Sequence, residues 1–193
     1  MGQELRIRGR LTFDEYEALE RRTGVRHEFV DGFAYPMDEG ATGMVGASVN
    51  HQRIVRNLHK ALDLSLRLPC EVFSQATQLR TQSDLGQVVY YPDLMVCCEP
   101  DDNDPKFRTR PKVVIEVTSP TTETHDRREK MWVFRKLSSI KAYLIVLQDE
   151  YRVDHYSGDD LAKLEQLGRD ATLQLSPVGL AISIADIYRG VDL

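Results

Sequence analysis

The chain has 193 residues, 41% hydrophobic and 28% charged, with a formal net charge of −5. That length suits one well-filled core and is short for two, and the composition excludes a disordered or fibrous chain. The net acidity weighs against a partner held through phosphate alone, and no apolar run approaches the ~18 residues of a membrane-spanning helix.

Residues 1–10 carry charge where a secretory signal would be apolar, so the expected compartment is the cytoplasm. No repeat, low-complexity tract or Pro/Gly/Ser linker divides the sequence, and 1–193 is expected to form a single domain. Thr12 followed by Glu15 is a capping-box pattern, and Phe13, Tyr16 and Leu19 recur at helical spacing, which predicts a helix over about 13–22. Val25 to Met37 predicts a hairpin turning at Asp31-Gly32. Gly40 to Ser48 reads as a loop.

A second helix is predicted from Val49 to Leu68, with Ile54, Val55, Leu58, Ala61 and Leu62 as its apolar stripe and Pro69 ending it. Strands at 71–80 and 88–98 follow, joined by a polar turn from Thr81 to Gln87, and Asp101–Pro105 marks a surface loop. Lys112–Thr118 carries consecutive β-branched residues, the signature of a central strand. A helix over about 122–137, an apolar strand Ala142–Leu147, a turn and an extended segment Tyr151–Tyr156 come next. Strand character near 172–175 and a short helix near 184–188 complete the chain. The alternation predicts an α/β or α+β fold with a mixed sheet.

Cys70, Cys97 and Cys98 are odd in number and lack CxxC spacing, so neither a disulfide framework nor a zinc site is expected. All three read as small core or near-surface residues. Positive charge is concentrated in one segment: residues 106–136 hold nine basic and four acidic side chains in an otherwise acidic chain.

That segment contains Glu116, set inside an apolar strand where a charge costs several kcal/mol unless paired, protonated or bound to a cation. Asp93, just before Leu94-Met-Val-Cys-Cys98, poses the same problem. Two carboxylates on neighbouring strands could converge on one Mg²⁺, which takes hard oxygen ligands and often only one or two carboxylates. The alternative is a salt bridge for each at a strand end. Lys130 falls one helical turn after Asp126, on a helix that must fold back onto the sheet. It is either a cation beside the carboxylates or half of a surface Asp–Lys pair.

Taken in order, Tyr91-Pro-Asp93-Leu-Met-Val, Val-Val-Ile-Glu116-Val-Thr-Ser-Pro120-Thr and Asp126-Arg-Arg-Glu-Lys130 resemble the Uma2 family (DUF820), restriction-endonuclease-like members of the PD-(D/E)xK nuclease superfamily. Leu-Thr-Phe-Asp-Glu-Tyr near the N-terminus, His-Glu-Phe-Val-Asp-Gly and Asn-His51-Gln-Arg-Ile-Val extend the likeness over about residues 11–156. The resemblance implies a central mixed sheet flanked by helices, with an N-terminal helix-hairpin extension. It also implies a Mg²⁺- or Mn²⁺-dependent endonuclease acting on nucleic acid, DNA in the first instance.

Asp93 then matches the PD aspartate and Glu116 the second acidic position, both metal ligands, with the Val117 backbone carbonyl as a further ligand. The superfamily's usual lysine falls at Thr118, where this chain departs from the pattern, and Lys130 resembles a migrated lysine filling the same space. His51, on the apolar stripe of its helix, Glu28 and Asp126 are supporting candidates, with a hydrogen-bonded structural role the simpler reading of His51. Lys112, Arg127 and Arg128 are candidate phosphate contacts. A homodimer would suit a duplex substrate. Two other classes compete with the nuclease: a nucleic-acid-binding or assembly protein that keeps the fold without turnover, and a hydrolase using the same carboxylates on a small substrate.

Overall fold

The computed structural model describes residues 9–37, 48–84, 86–118 and 129–193. In chain order the elements are α1 (Phe13–Thr23), β1 (His27–Val30), β2 (Phe33–Pro36), α2 (Val49–Ser65), β3 (Glu71–Ser74), β4 (Gln78–Ser83), β5 (Gly86–Tyr90), β6 (Leu94–Cys97) and β7 (Phe107–Arg108). There follow β8 (Pro111–Thr118), α3 (Met131–Phe134), β9 (Ala142–Leu147), β10 (Val153–Ser157), β11 (Lys163–Leu167), β12 (Thr172–Leu175), β13 (Leu180–Ser183) and α4 (Ile184–Ile187). They form two compact units, one comprising the chain to Gly46 with Leu79–Tyr90, the other Ala47–Gln78 with Tyr91–Leu193.

In the first unit the capping box closes: Thr12 N–H donates to Glu15 Oε2 at 2.7 Å, and Glu15 N–H donates to Thr12 Oγ1 at 3.3 Å. Helix α1 ends at Gly24, whose φ of 68° is the left-handed conformation that glycine adopts without strain. It buries Tyr16 and Leu19; Tyr16 stacks on Phe29 at 4.7 Å and donates its hydroxyl to the His27 carbonyl. Strands β1 and β2 turn at Asp31 (φ 51°) and Gly32 (φ 82°), the paired positive φ values of a two-residue hairpin loop. Within the unit the antiparallel order is β2-β1-β5-β4.

The second unit is built on a six-stranded sheet, ordered β11-β10-β9-β8-β6-β3. Only β8 and β9 run parallel, with Ile115 beside Leu144 and Glu116 beside Ile145. Both are wholly apolar apart from their ends and Glu116, as strands covered on both faces must be. Ser48 caps α2 by accepting the His51 N–H. The helix then lays Ile54, Leu58 and Leu62, all fully buried, in one core with Leu94, Val96, Val113, Ile115, Val117, Leu144 and Val146. Each such side chain contributes roughly 1.5–3 kcal/mol of burial. Residues of β12, β13 and α4 complete that core. Because side chains alternate along a strand, Lys112, Val114, Glu116 and Thr118 take the other face. There Phe134 of α3 meets Tyr143 edge-on at 5.0 Å.

The mixed sheet with flanking helices agrees with the sequence reading, but several elements differ. The strands expected over 71–80 and 88–98 each break in two. Pro92 cannot donate to a ladder, and Thr77 N–H closes a turn onto the Ser74 carbonyl. Strands β3 and β6 therefore pair in the six-stranded sheet, while β4 and β5 pair in the other. Helix α2 stops at Ser65, with Leu66 already extended. Of the helix expected over 122–137, residues 122–128 lie outside the described residues; Glu129 and Lys130 form a π turn leading into the single turn of α3. Most of the loop expected at 40–48 is likewise outside them. Strands β11 and β13 were not anticipated.

The reading of the cysteines is corrected: Cys70 and Cys98 form a disulfide, because the antiparallel pairing of Glu71 with Cys97 brings the flanking residues opposite one another. An odd count requires only that one thiol be left over. That thiol, Cys97, is buried, and burial pushes its pKa up to about 12. Among the described residues no helix is long and apolar enough to cross a membrane.

Candidate metal centre

Asp93 occupies the bend between Pro92 and β6, and Glu116 the sixth position of β8; both are buried, at 6% and 5% exposure. Leu94 pairs with Ile115, so the antiparallel register sets Asp93 beside Glu116. The Val117 N–H donates to Asp93 Oδ2 at 2.7 Å, a short charge-assisted bond that fixes the carboxylate to the strand end. Asp93 N–H approaches Glu116 Oε2 at 3.4 Å, a longer and weaker contact. In a strand the N–H and C=O of one residue share a side, so the Val117 carbonyl also faces Asp93.

Side chains of His51, Gln75 and Lys130 hold the carboxylates. His51, on the first turn of α2, has Nε2 3.1 Å from Asp93 Oδ2, within hydrogen-bond distance. Gln75 donates its amide to Asp93 Oδ1 from the turn between β3 and β4. Lys130 donates Nζ to Glu116 Oε1 at 2.8 Å, with both side chains only 6% exposed. Removing one partner of an ion pair so buried is costly, because it takes the counterion from the charge that stays behind.

Two buried polar atoms at this end of the sheet, His51 Nδ1 and Thr118 Oγ1, have no hydrogen-bond partner among the described residues. The donor set fits a hard divalent ion: two carboxylates, with the Val117 carbonyl directed to the same side, leave the remaining positions for water and phosphate, as Mg²⁺ prefers. Among the described residues there is no group of three or more His, Cys, Asp or Glu side chains placed to hold a metal ion.

The structure thus brings together Asp93, Glu116, Lys130, His51 and the Val117 backbone. Glu28 belongs to the first unit, half-buried in β1 opposite Tyr35. Asp126, Arg127 and Arg128 lie outside the described residues. Lys112 shares a strand face with Glu116 but sits four residues upstream, about 13 Å at ~3.3 Å per residue. It lines a different cleft. Sequence reasoning missed Gln75 because residues 71–80 read as one continuous strand; the polar run Ser74-Gln-Ala-Thr77 was the available signal for a turn.

The mixed sheet, with an aspartate at the start of one strand and a glutamate within its neighbour, agrees with the restriction-endonuclease-like fold that the resemblance implies, and a structural match supports that fold. A crystal structure of a protein described as a "putative nuclease belonging to DUF820", from Anabaena variabilis, superposes with a TM-score of 0.70 over 93% of this chain and 98% of that one, at 17% identity. Residues 13–185 match the family Uma2, described as "Putative restriction endonuclease", and the chain belongs to that family. Two uncharacterized proteins of Synechocystis sp. are similar over most of the chain. One is 30% identical over 185 residues, 94% of this chain and 93% of its own length. The other is 31% identical over 173 residues, 86% and 93%.

Proposed function

We propose that this chain is a metal-dependent nuclease that hydrolyses phosphodiester bonds in nucleic acid, with DNA as its first substrate. The observation that carries the reading is the buried Asp93–Glu116 pair with the Lys130 ammonium on Glu116. Asp93, Glu116 and the Val117 carbonyl would hold Mg²⁺ or Mn²⁺. When bound, the ion supplies Lewis-acid polarisation of a phosphoryl oxygen and activation of water.

The chain's own residues have separate tasks. His51 and Gln75 fix the Asp93 carboxylate in one orientation, so that it is preorganised before any ligand arrives. Lys130, delivered by the π turn rather than from position 118, keeps a positive charge beside Glu116. From there its ammonium can donate to a phosphate oxygen as negative charge builds on it. Burial strengthens each of these interactions relative to water.

One feature favours a second reading, a nucleic-acid-binding protein without turnover: the position where the wider nuclease superfamily usually carries its lysine is Thr118, a 1% exposed hydroxyl. The two separate in a cleavage assay on linear and circular DNA with Mg²⁺, Mn²⁺ or chelator. Metal-dependent products that disappear in Asp93→Ala support the nuclease. Cleavage undiminished in that variant removes Asp93 from the chemistry, and DNA binding with no product under any metal supports the binding protein.

A further inference from the structure

A second cleft, of about 510 Å³, opens where β8 and β9 begin, whereas Glu116 lies toward the end of β8. Arg110, Lys112, Lys136 and Lys141 line it together with the hydroxyls of Ser138 and Ser139, and among the described residues Glu99 is the only carboxylate in its wall. Lys112 and Lys141 are neighbours across the parallel pair: Val113 registers with Ala142, and Lys141 N–H donates to the Lys112 carbonyl at 2.8 Å. Like charges set side by side on adjacent strands repel and are destabilising. Among the described residues neither of these two lysines has an ion pair, whereas Arg110 is held by Asp101 at 2.6 Å. Lys136 places Nζ 3.6 Å above the ring of Trp132, which is 43% exposed.

We propose that this cleft is a phosphate-binding site, separate from the carboxylate pair, that holds the backbone of the nucleic acid. Adjacent lysine ammoniums and serine hydroxyls in one cleft wall supply point charges and donors without base-reading geometry, which is the chemistry of backbone contact. The site also answers the acidity of the chain as a whole, because it gathers cations where they face one partner. Taking nucleic acid as the source of the phosphate rests on the proposed function, in either its nuclease or its binding form. The cleft's affinity for phosphate does not.

Trp132 is the only tryptophan in the chain, so its fluorescence reports on an anion that draws Lys136 from its ring. The experiment titrates the full chain, in chelator to prevent cleavage, with a DNA duplex of about 20 base pairs and separately with pyrophosphate. It compares wild type, Lys112→Ala/Lys141→Ala and Glu116→Gln over a range of salt. The duplex should alter the emission and bind the double variant about tenfold more weakly, with the slope of log K against log salt smaller by about 2. Glu116→Gln should retain the cleft's response, even if metal-dependent cleavage is absent from every protein. In that event this inference stands and the nuclease reading falls. Equal affinity and equal slope in the double variant, with its circular dichroism unchanged, would overturn the proposal. Pyrophosphate binding that depends on both lysines while the duplex does not would overturn nucleic acid as the occupant.

Discussion

Replacing Lys130 by methionine tests the centre through stability alone. Lys130 and Glu116 are each about 6% exposed and 2.8 Å apart, which puts them with buried pairs rather than surface ones. Surface pairs contribute about 0.2–1 kcal/mol, whereas removing one partner of a buried pair costs about 3–5 kcal/mol, because a buried charge has lost its counterion. For a chain of this size each kcal/mol moves Tm by roughly 2–4 °C, so Lys130→Met should melt roughly 10 °C below wild type. The double variant Lys130→Met/Glu116→Gln removes the stranded charge and should recover most of that loss. Mn²⁺ should do the same by another route: an ion at 100 times its Kd stabilises by about 2.7 kcal/mol, and it should do so more in Lys130→Met than in the double variant. Urea unfolding followed by circular dichroism, with and without Mn²⁺, measures all four terms. A loss below about 1 kcal/mol in Lys130→Met, or a double variant no more stable than Lys130→Met, would refute the pairing.

Other expectations follow from packing and titration. Leu58→Ala empties a fully buried position facing the central strands and should cost about 2–5 kcal/mol in urea unfolding. Tyr188→Phe deletes a buried hydroxyl that contacts the Leu147 carbonyl at 2.7 Å and accepts the Arg152 N–H at 3.2 Å; a loss of about 1–3 kcal/mol is expected from the same measurement. Burial holds His155 below its ordinary pKa of 6.5, against the smaller opposing pull of Glu165. The unfolded chain therefore takes up the proton first, so this contribution is complete above about pH 6.5 and is lost as pH falls below it. The urea midpoint should fall between pH 7.5 and pH 5 less steeply in His155→Gln than in wild type, and parallel slopes would remove His155 from the account. Gln75→Leu should leave the fold standing but weaken Mn²⁺ binding, read by calorimetry, because Asp93 loses a donor that orients it.

The architecture was legible wherever one physical signal dominated. The capping box, the Asp31-Gly32 turn, the stripe of α2 and the two apolar strands β8 and β9 all read directly, since each follows from local geometry or from burial on both faces. The breaks at Gln75–Thr77 and Tyr91–Asp93 were harder to read, because the strands on either side of each break look alike in composition and only their partners differ. Strand β11 is mostly exposed, so it lacks the apolar alternation that marks a half-buried strand and is held by its ladder to β10. The Cys70–Cys98 bond depends on the pairing of β3 with β6, which no spacing encodes.

The candidate centre divides in the same way. Asp93 and Glu116 stood out because a charge in an apolar strand needs a physical reason. The contact between Lys130 and Glu116 was implied by the family pattern and needed the π turn to be realised. Gln75 carried no signal of its own, because an amide in a turn is ordinary until the fold sets a carboxylate beside it.

The central claim is that Asp93 and Glu116 share one divalent ion. Calorimetric titration of Mn²⁺ into wild type, Asp93→Asn, Glu116→Gln and Lys112→Ala tests it most directly. One site per chain is expected in wild type and Lys112→Ala, lost or weakened at least tenfold in both carboxylate variants. Equal binding in all four proteins would contradict it.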